Sequence, residues 1–153
     1  YDQLLVMRTV SKMGQAGLRL GLLCGGQELI NEINKVRLPY NINVLTQYSA
    51  EFILSNAGFH EAQAEMIRAD RNKLLQQLTR LEQVDVFPSQ ANFILFRLRQ
   101  ANATEVFERL RAQGVLIKNM DRPGALANCL RVTVGTQEEN QLFLQALEIA
   151  LRD

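Results

Sequence analysis

At Val84 the spacing of apolar residues changes. Before it, Ile67, Leu74, Leu78 and Leu81 recur at helical intervals against a charged face, within a stretch running from about His60 to Gln83. After it, Val84–Phe87 and Ala91–Leu98 are separated by Pro88-Ser89-Gln90. In the second run Phe93, Leu95 and Arg97 alternate with Ile94, Phe96 and Leu98, which predicts a strand pair. A helix from Thr104 to Gln113 stops at Gly114, and strands are expected over Val115–Lys118 and Cys129–Val134, with a loop at 119–128 between them. Thr136 and Glu139 have capping-box spacing ahead of a closing helix that carries Leu142, Leu144, Leu147 and Leu151. A long helix followed by this order predicts a compact α+β layer domain.

The front of the chain reads differently. Leu4-Leu5-Val6-Met7 is an almost unbroken apolar run, as expected of a strand buried on both faces of a parallel sheet. Only Leu18–Gly25 offers a second strand nearby. Two strands cannot cover a sheet, so the expectation is that upstream parts of this domain are missing. Helices are expected at Gln27–Val36, ended by Arg37-Leu38-Pro39, and at Val44–Ser55, with a break at Gly58. Residues 1–45 are therefore assigned to a remnant of one domain and residues 46–153 to a second.

Charge and cysteine usage exclude several functions. Seventeen basic and sixteen acidic residues are interspersed and leave a formal charge of +1. This argues against a nucleic-acid stripe or a polybasic membrane patch. With no membrane-length apolar run and no signal-peptide pattern, the expected setting is the cytosol. Cys24 and Cys129 stand in apolar surroundings and read as buried free thiols. One histidine, His60, excludes any metal scheme that needs two; it reads as a solvated residue at a helix start. No metal site is expected.

The densest cluster of reactive and permissive residues lies between the first two strands: Ser11-Lys12, Gly14, Gly17, Arg19 and Gly21. A hydroxyl and a guanidinium are good phosphate donors, glycines let backbone approach a ligand, and a lysine can form an imine. The spacing matches neither Gly-x-Gly-x-x-Gly nor the phosphate loop Gly-x-x-x-x-Gly-Lys. By residue type alone, a solvated turn with a surface lysine stays ahead of a functional reading of the cluster.

Arg8-Thr9-x-Ser11-Lys12-x-Gly14-x-Ala16-Gly17-Leu18-Arg19-x-Gly21 resembles the lysine segment of the fold-type I aminotransferases that use pyridoxal 5′-phosphate. Leu38-Pro39-Tyr40-Asn41, Pro88-Ser89-x-Ala91-Asn92-Phe93, Gly114-Val115-Leu116-Ile117 and Leu130-Arg131-Val132-Thr133-Val134-Gly135-Thr136 extend the likeness along the chain, toward the branch that handles histidinol phosphate. The resemblance covers only the carboxy-terminal portion of such enzymes. It implies the end of a large parallel-sheet α/β cofactor domain followed by a small α+β domain. By the same resemblance Lys12 is the catalytic amine and covalent anchor, and Ser11 and Arg19 hold the cofactor phosphate. Arg131 would clamp a substrate carboxylate and Tyr40 would lie near the substrate pocket. Lys118 stands where the family often has an arginine suited to a substrate phosphate, and it is a point charge without the bidentate fork. Asn92 stands at a strand start, where it can satisfy backbone groups.

The implied reaction is amino transfer between histidinol phosphate and 2-oxoglutarate in histidine biosynthesis, by a homodimer acting on small molecules, with no nucleic acid or membrane partner. An aromatic aminotransferase or a threonine-phosphate decarboxylase is the alternative within the family, and a non-catalytic folding or dimerisation module is the alternative outside it. The family's aspartate facing the cofactor ring nitrogen lies upstream of the lysine and has no counterpart in these residues, so the segment alone is expected to be inactive.

Overall fold

The computed structural model describes residues 3–152, the side chains of Lys12 and Met13 excepted. The chain divides into two compact units, Tyr1–Ala62 and Gln63–Asp153, the division falling within the sequence of a long helix.

In the first unit, β1 (Leu5–Thr9) pairs antiparallel with β2 (Gly21–Gly25), from Leu5 opposite Gly25 to Thr9 opposite Gly21. Two short 3-10 turns, Val10–Met13 and Ala16–Leu18, fill the connection. The expected Leu18–Gly25 strand is shorter because Leu18 belongs to the second turn and Arg19 to a left-handed position after it. The apolar run at Leu4 does form a strand, but its observed partner is antiparallel and its side chains are exposed, Met7 by 81%. An apolar run reports the need for cover and not the direction of the neighbouring strand. Cys24, read from sequence as buried, is likewise exposed, since β2 shows both faces to solvent among the described residues.

α1 (Gln27–Val36) and α2 (Val44–Ser55) complete the unit with the first turns of α3 (Ala57–Thr79). Asn43 caps α2 by accepting from the Thr46 N–H at 2.9 Å. The Thr46 hydroxyl donates to the Leu18 carbonyl at 3.3 Å, so α2 is tied to the β1–β2 connection. The expected break at Gly58 is a join: Asn56 ends α2 and α3 starts one residue later. His60 consequently sits inside the first turn of α3, half-buried, with its ring edge-on to Phe59 at 5.6 Å.

The second unit is two-layered. Its sheet has the order β3 (Val84–Val86), β4 (Phe93–Leu98), β6 (Cys129–Thr133), β5 (Lys118–Asn119), antiparallel throughout. β5 is shorter than the sequence predicts because Val115 and Ile117 pack against the core without joining the ladder. Ile94, Phe96, Leu98, Leu130 and Val132 point from one face into a core completed by Leu74 and Leu78 of α3, Val106 and Leu110 of α4 (Ala103–Ala112), and Phe143 and Leu147 of α5 (Gln137–Ala150). Phe96, Ile94, Leu110 and Leu147 are fully buried, at about 1.5–3 kcal/mol each for the side chain's removal from water. Cys129 is buried, as expected. Thr136 and Glu139 form the capping box that starts α5.

Candidate functional site

Two clusters of sequence-predicted residues are assembled, one in each unit. In the first, the Val10 N–H donates to the Leu20 carbonyl at 3.3 Å and closes the neck of the β1–β2 connection. Ser11 and Arg19 are the next residues inward on either side of that bond, so their backbone positions flank one neck. Thr9 organises it. Its hydroxyl accepts from the Ser11 N–H at 3.1 Å and lies 2.9 Å from Ser11 Oγ and 3.3 Å from the Leu20 carbonyl, to one of which it donates. Inside the loop, Gly14 turns at φ 82° and its N–H donates to the Val10 carbonyl. That left-handed geometry suits glycine.

Arg19 has φ 51°, unusual for a residue with a Cβ. Its side chain is exposed and makes no hydrogen bond or ion pair with the described residues. A residue with a Cβ held there costs about 1–2 kcal/mol, and such backbone outliers cluster at ligand clamps and active sites. A half-buried hydroxyl, an uncommitted guanidinium and a glycine turn form a donor set that fits a phosphate monoester. Lys12 lies in the same 3-10 turn as Ser11; its side chain is outside the described residues. Tyr40, also at a positive φ of 56°, is 98% exposed in the turn after α1.

The second cluster lies on the sheet face turned away from the helices. Lys118 of β5 is directly opposite Arg131 of β6, and Arg131 is in turn opposite Leu95 of β4. The Arg131 guanidinium carbon stands 4.8 Å from the centre of the Phe93 ring, while its Nε is buried with no hydrogen-bond partner among the described residues. Lys118 is exposed. Two cations held side by side over an apolar floor can receive a carboxylate or phosphate. Asn92 contributes its carbonyl to the Val134 N–H at 2.9 Å, and so serves the sheet.

Two residues of this region escape the sequence reading. The Arg97 guanidinium carbon lies over the Phe87 ring, 5.4 Å from its centre, and the side chain donates to the carbonyls of Ala125 at 2.7 Å and Ala127 at 3.0 Å, fastening the loop before β6. Asn128, at φ 58°, donates to the carbonyls of Leu98 and Ala101 and accepts from the Ala103 N–H, each within 2.8 Å. An asparagine just ahead of an apolar strand is the one available signal, since asparagine tolerates the left-handed region.

Residues 1–147 match the family model for aminotransferase class I and II. The chain is 54% identical over 149 residues to histidinol-phosphate aminotransferase 2 of Nitrosococcus oceani, covering 97% of this chain and 41% of the relative. The chain spans about two fifths of the length of the curated relatives it matches. Among solved structures it resembles L-threonine-O-3-phosphate decarboxylase from Porphyromonas gingivalis, with TM-score 0.84 and 26% identity over 99% of this chain and 48% of that one. It shares the fold of histidinol-phosphate aminotransferase from Clostridium acetobutylicum, with TM-score 0.85 and 23% identity over 100% and 47% of the two chains. The fold is that of the fold-type I aminotransferases, and the chain belongs to the aminotransferase class I and II family.

Proposed function

We propose that this segment is the carboxy-terminal portion of a pyridoxal-phosphate aminotransferase that transfers an amino group between histidinol phosphate and 2-oxoglutarate, as a cytoplasmic homodimer in histidine biosynthesis. The single observation that carries the reading is the neck closed by Val10 and Leu20, with Ser11 and Arg19 on its two sides and Lys12 in the same turn. The exposed apolar faces of β1 and β2 support a longer sheet in the whole protein, of which residues 1–45 are the end.

Ser11 and Arg19 hold the cofactor phosphate, Arg19 through paired N–H donors that keep the group in register when the covalent tether is released. The cofactor supplies an aldehyde for the amine and a ring that accepts electron density from the substrate's α-carbon. Lys12 holds the cofactor through its Nζ and, once displaced, carries the proton that leaves the α-carbon. Arg131 takes the carboxylate of glutamate or 2-oxoglutarate, Lys118 the phosphate of the other substrate, and Tyr40 borders the pocket.

The test uses the full-length protein. After incubation with pyridoxal phosphate and borohydride reduction, the peptide carrying Lys12 is expected to gain the mass of the reduced adduct. A panel of amine donors then separates the possible substrates, and preference for histidinol phosphate supports its role as the amine. Turnover of aromatic amino acids, or loss of carbon dioxide from threonine phosphate, assigns the protein to the corresponding relative instead. No adduct at Lys12 leaves a folding or dimerisation module.

A further inference from the structure

We infer that Phe93 is a positioning residue for Arg131, holding its guanidinium flat so that the outer nitrogens are presented as a fork to a carboxylate. The inference rests on the reading of Arg131 as the carboxylate clamp. Arg131 has no anionic partner among the described residues and faces a second cation, Lys118, so nothing polar in the sheet holds it in place. What it does have is the Phe93 ring 4.8 Å from its central carbon. A guanidinium on an aromatic face keeps its in-plane donors free, whereas a guanidinium held by a carboxylate spends them.

The neighbouring stack on the same sheet shows the difference. Arg97 lies over Phe87, and its donors are taken by Ala125 and Ala127. Arg131 lies over Phe93, and its donors are uncommitted among the described residues.

Phe93 is itself fixed. The Ser89 hydroxyl donates to the Phe93 carbonyl at 2.5 Å and accepts from the Ala91 N–H at 3.1 Å, while the Val134 N–H bonds the Asn92 carbonyl. Phe93 pairs with Thr133, which places its ring diagonally across from Arg131 in the ladder. Cross-strand diagonals are within reach of aromatic and long side chains.

The experiment measures kcat and KM for 2-oxoglutarate in the full-length holoenzyme, for Phe93→Met, Phe93→Tyr and Arg131→Lys. Phe93→Met keeps apolar volume and removes the ring face. It is expected to raise KM about 3- to 30-fold with kcat changed less than about twofold, the range that loss of a cation–π contact spans. Phe93→Tyr is expected to restore KM to within about twofold, since it keeps the face. An unchanged KM in Arg131→Lys overturns the clamp itself. A raised KM in Arg131→Lys with an unchanged one in Phe93→Met overturns the inference about Phe93 alone. Equal losses in Phe93→Met and Phe93→Tyr, falling on kcat, assign Phe93 to packing and overturn it as well. Should Phe93→Met fail to fold, Phe93→Leu with the same two readouts takes its place.

Discussion

Lys118 and Arg131 face each other directly across the β5–β6 pair. Like charges in that relationship destabilise an antiparallel ladder, and opposite charges stabilise it, by about 0.2–1 kcal/mol per pair. Of the two, Arg131 also has a buried nitrogen without a partner among the described residues. The sheet therefore carries a local cost that a bound anion would relieve.

Lys118→Glu converts the repulsive pair into an attractive one. The expected outcome is a protein more stable by up to about 1 kcal/mol, with a higher KM for both the phosphorylated amine and 2-oxoglutarate. Thermal melting of the ligand-free protein and steady-state kinetics check the two halves. Lower stability together with unchanged KM counts against the anion-binding pair.

At the start of α5, Thr136 and Glu139 satisfy each other's backbone N–H groups, at 3.2 Å and 2.8 Å. Thr136→Ala should cost about 1 kcal/mol. Gly135→Ala should act on the same box from outside, because a Cβ there would stand 2.5 Å from Glu139 Oε2 and displace that carboxylate from the Thr136 N–H. Since both changes break one unit, the double variant should lose less than the sum of the single losses in urea unfolding. Strict additivity would show that Glu139 accommodates the new methyl group without leaving its bond.

The box is legible from spacing alone because both partners lie within one helical turn. So are the β3–β4 pair and the alternation of Phe93, Leu95 and Arg97 against Ile94, Phe96 and Leu98, since a strand half-covered by helices writes its two faces into consecutive residues. The direction of β1 against β2 is not legible, for the opposite reason. Its apolar run records demand for cover on both faces, while its direction relative to β2 is set by a connection whose two 3-10 turns follow from no simple periodicity. Chemistry and family likeness single out Ser11 and Arg19, but their placement on the two sides of one neck depends on the Val10–Leu20 bond, a contact between backbone groups that side-chain identity does not encode. Phe93 stands out in the sequence only as part of a motif: its relation to Arg131 joins two distant stretches of chain and exists only once β4 and β6 are in register.

Asn128 supports a related prediction about stability. Its side chain bridges the end of β4, residue Ala101 and the start of α4, and its N–H donates to Asp121 at 2.6 Å. Asn128→Ala removes three side-chain bonds and leaves a Cβ at φ 58°, so a loss of about 2–4 kcal/mol is expected. Asn128→Gly loses the same bonds and relieves the backbone, and should be the milder change. Urea denaturation ranks the pair, and an equal loss would show that the strain at this position is no larger than the roughly 0.5–1 kcal/mol of unfolded-state freedom that glycine surrenders.

Arg19 sets backbone strain against binding in one residue. Its φ of 51° costs an ordinary L-residue about 1–2 kcal/mol, whereas glycine there surrenders about 0.5–1 kcal/mol of unfolded-state freedom. Arg19→Gly should therefore leave the ligand-free protein as stable as before or up to about 1.5 kcal/mol more stable. Pyridoxal phosphate affinity should fall in the same variant, because a hydrogen bond to a charged group contributes about 1.5–3 kcal/mol, roughly 10- to 150-fold in Kd. Arg19→Lys keeps the charge and the strain but gives up the bidentate fork. It should show unchanged stability and an intermediate Kd. Thermal melting without cofactor, paired with absorbance titration by pyridoxal phosphate, reads both quantities on the parent and the two variants. If Arg19→Gly binds the cofactor as tightly as the parent, the guanidinium at the neck does not hold the phosphate, and the strained backbone there needs another cause.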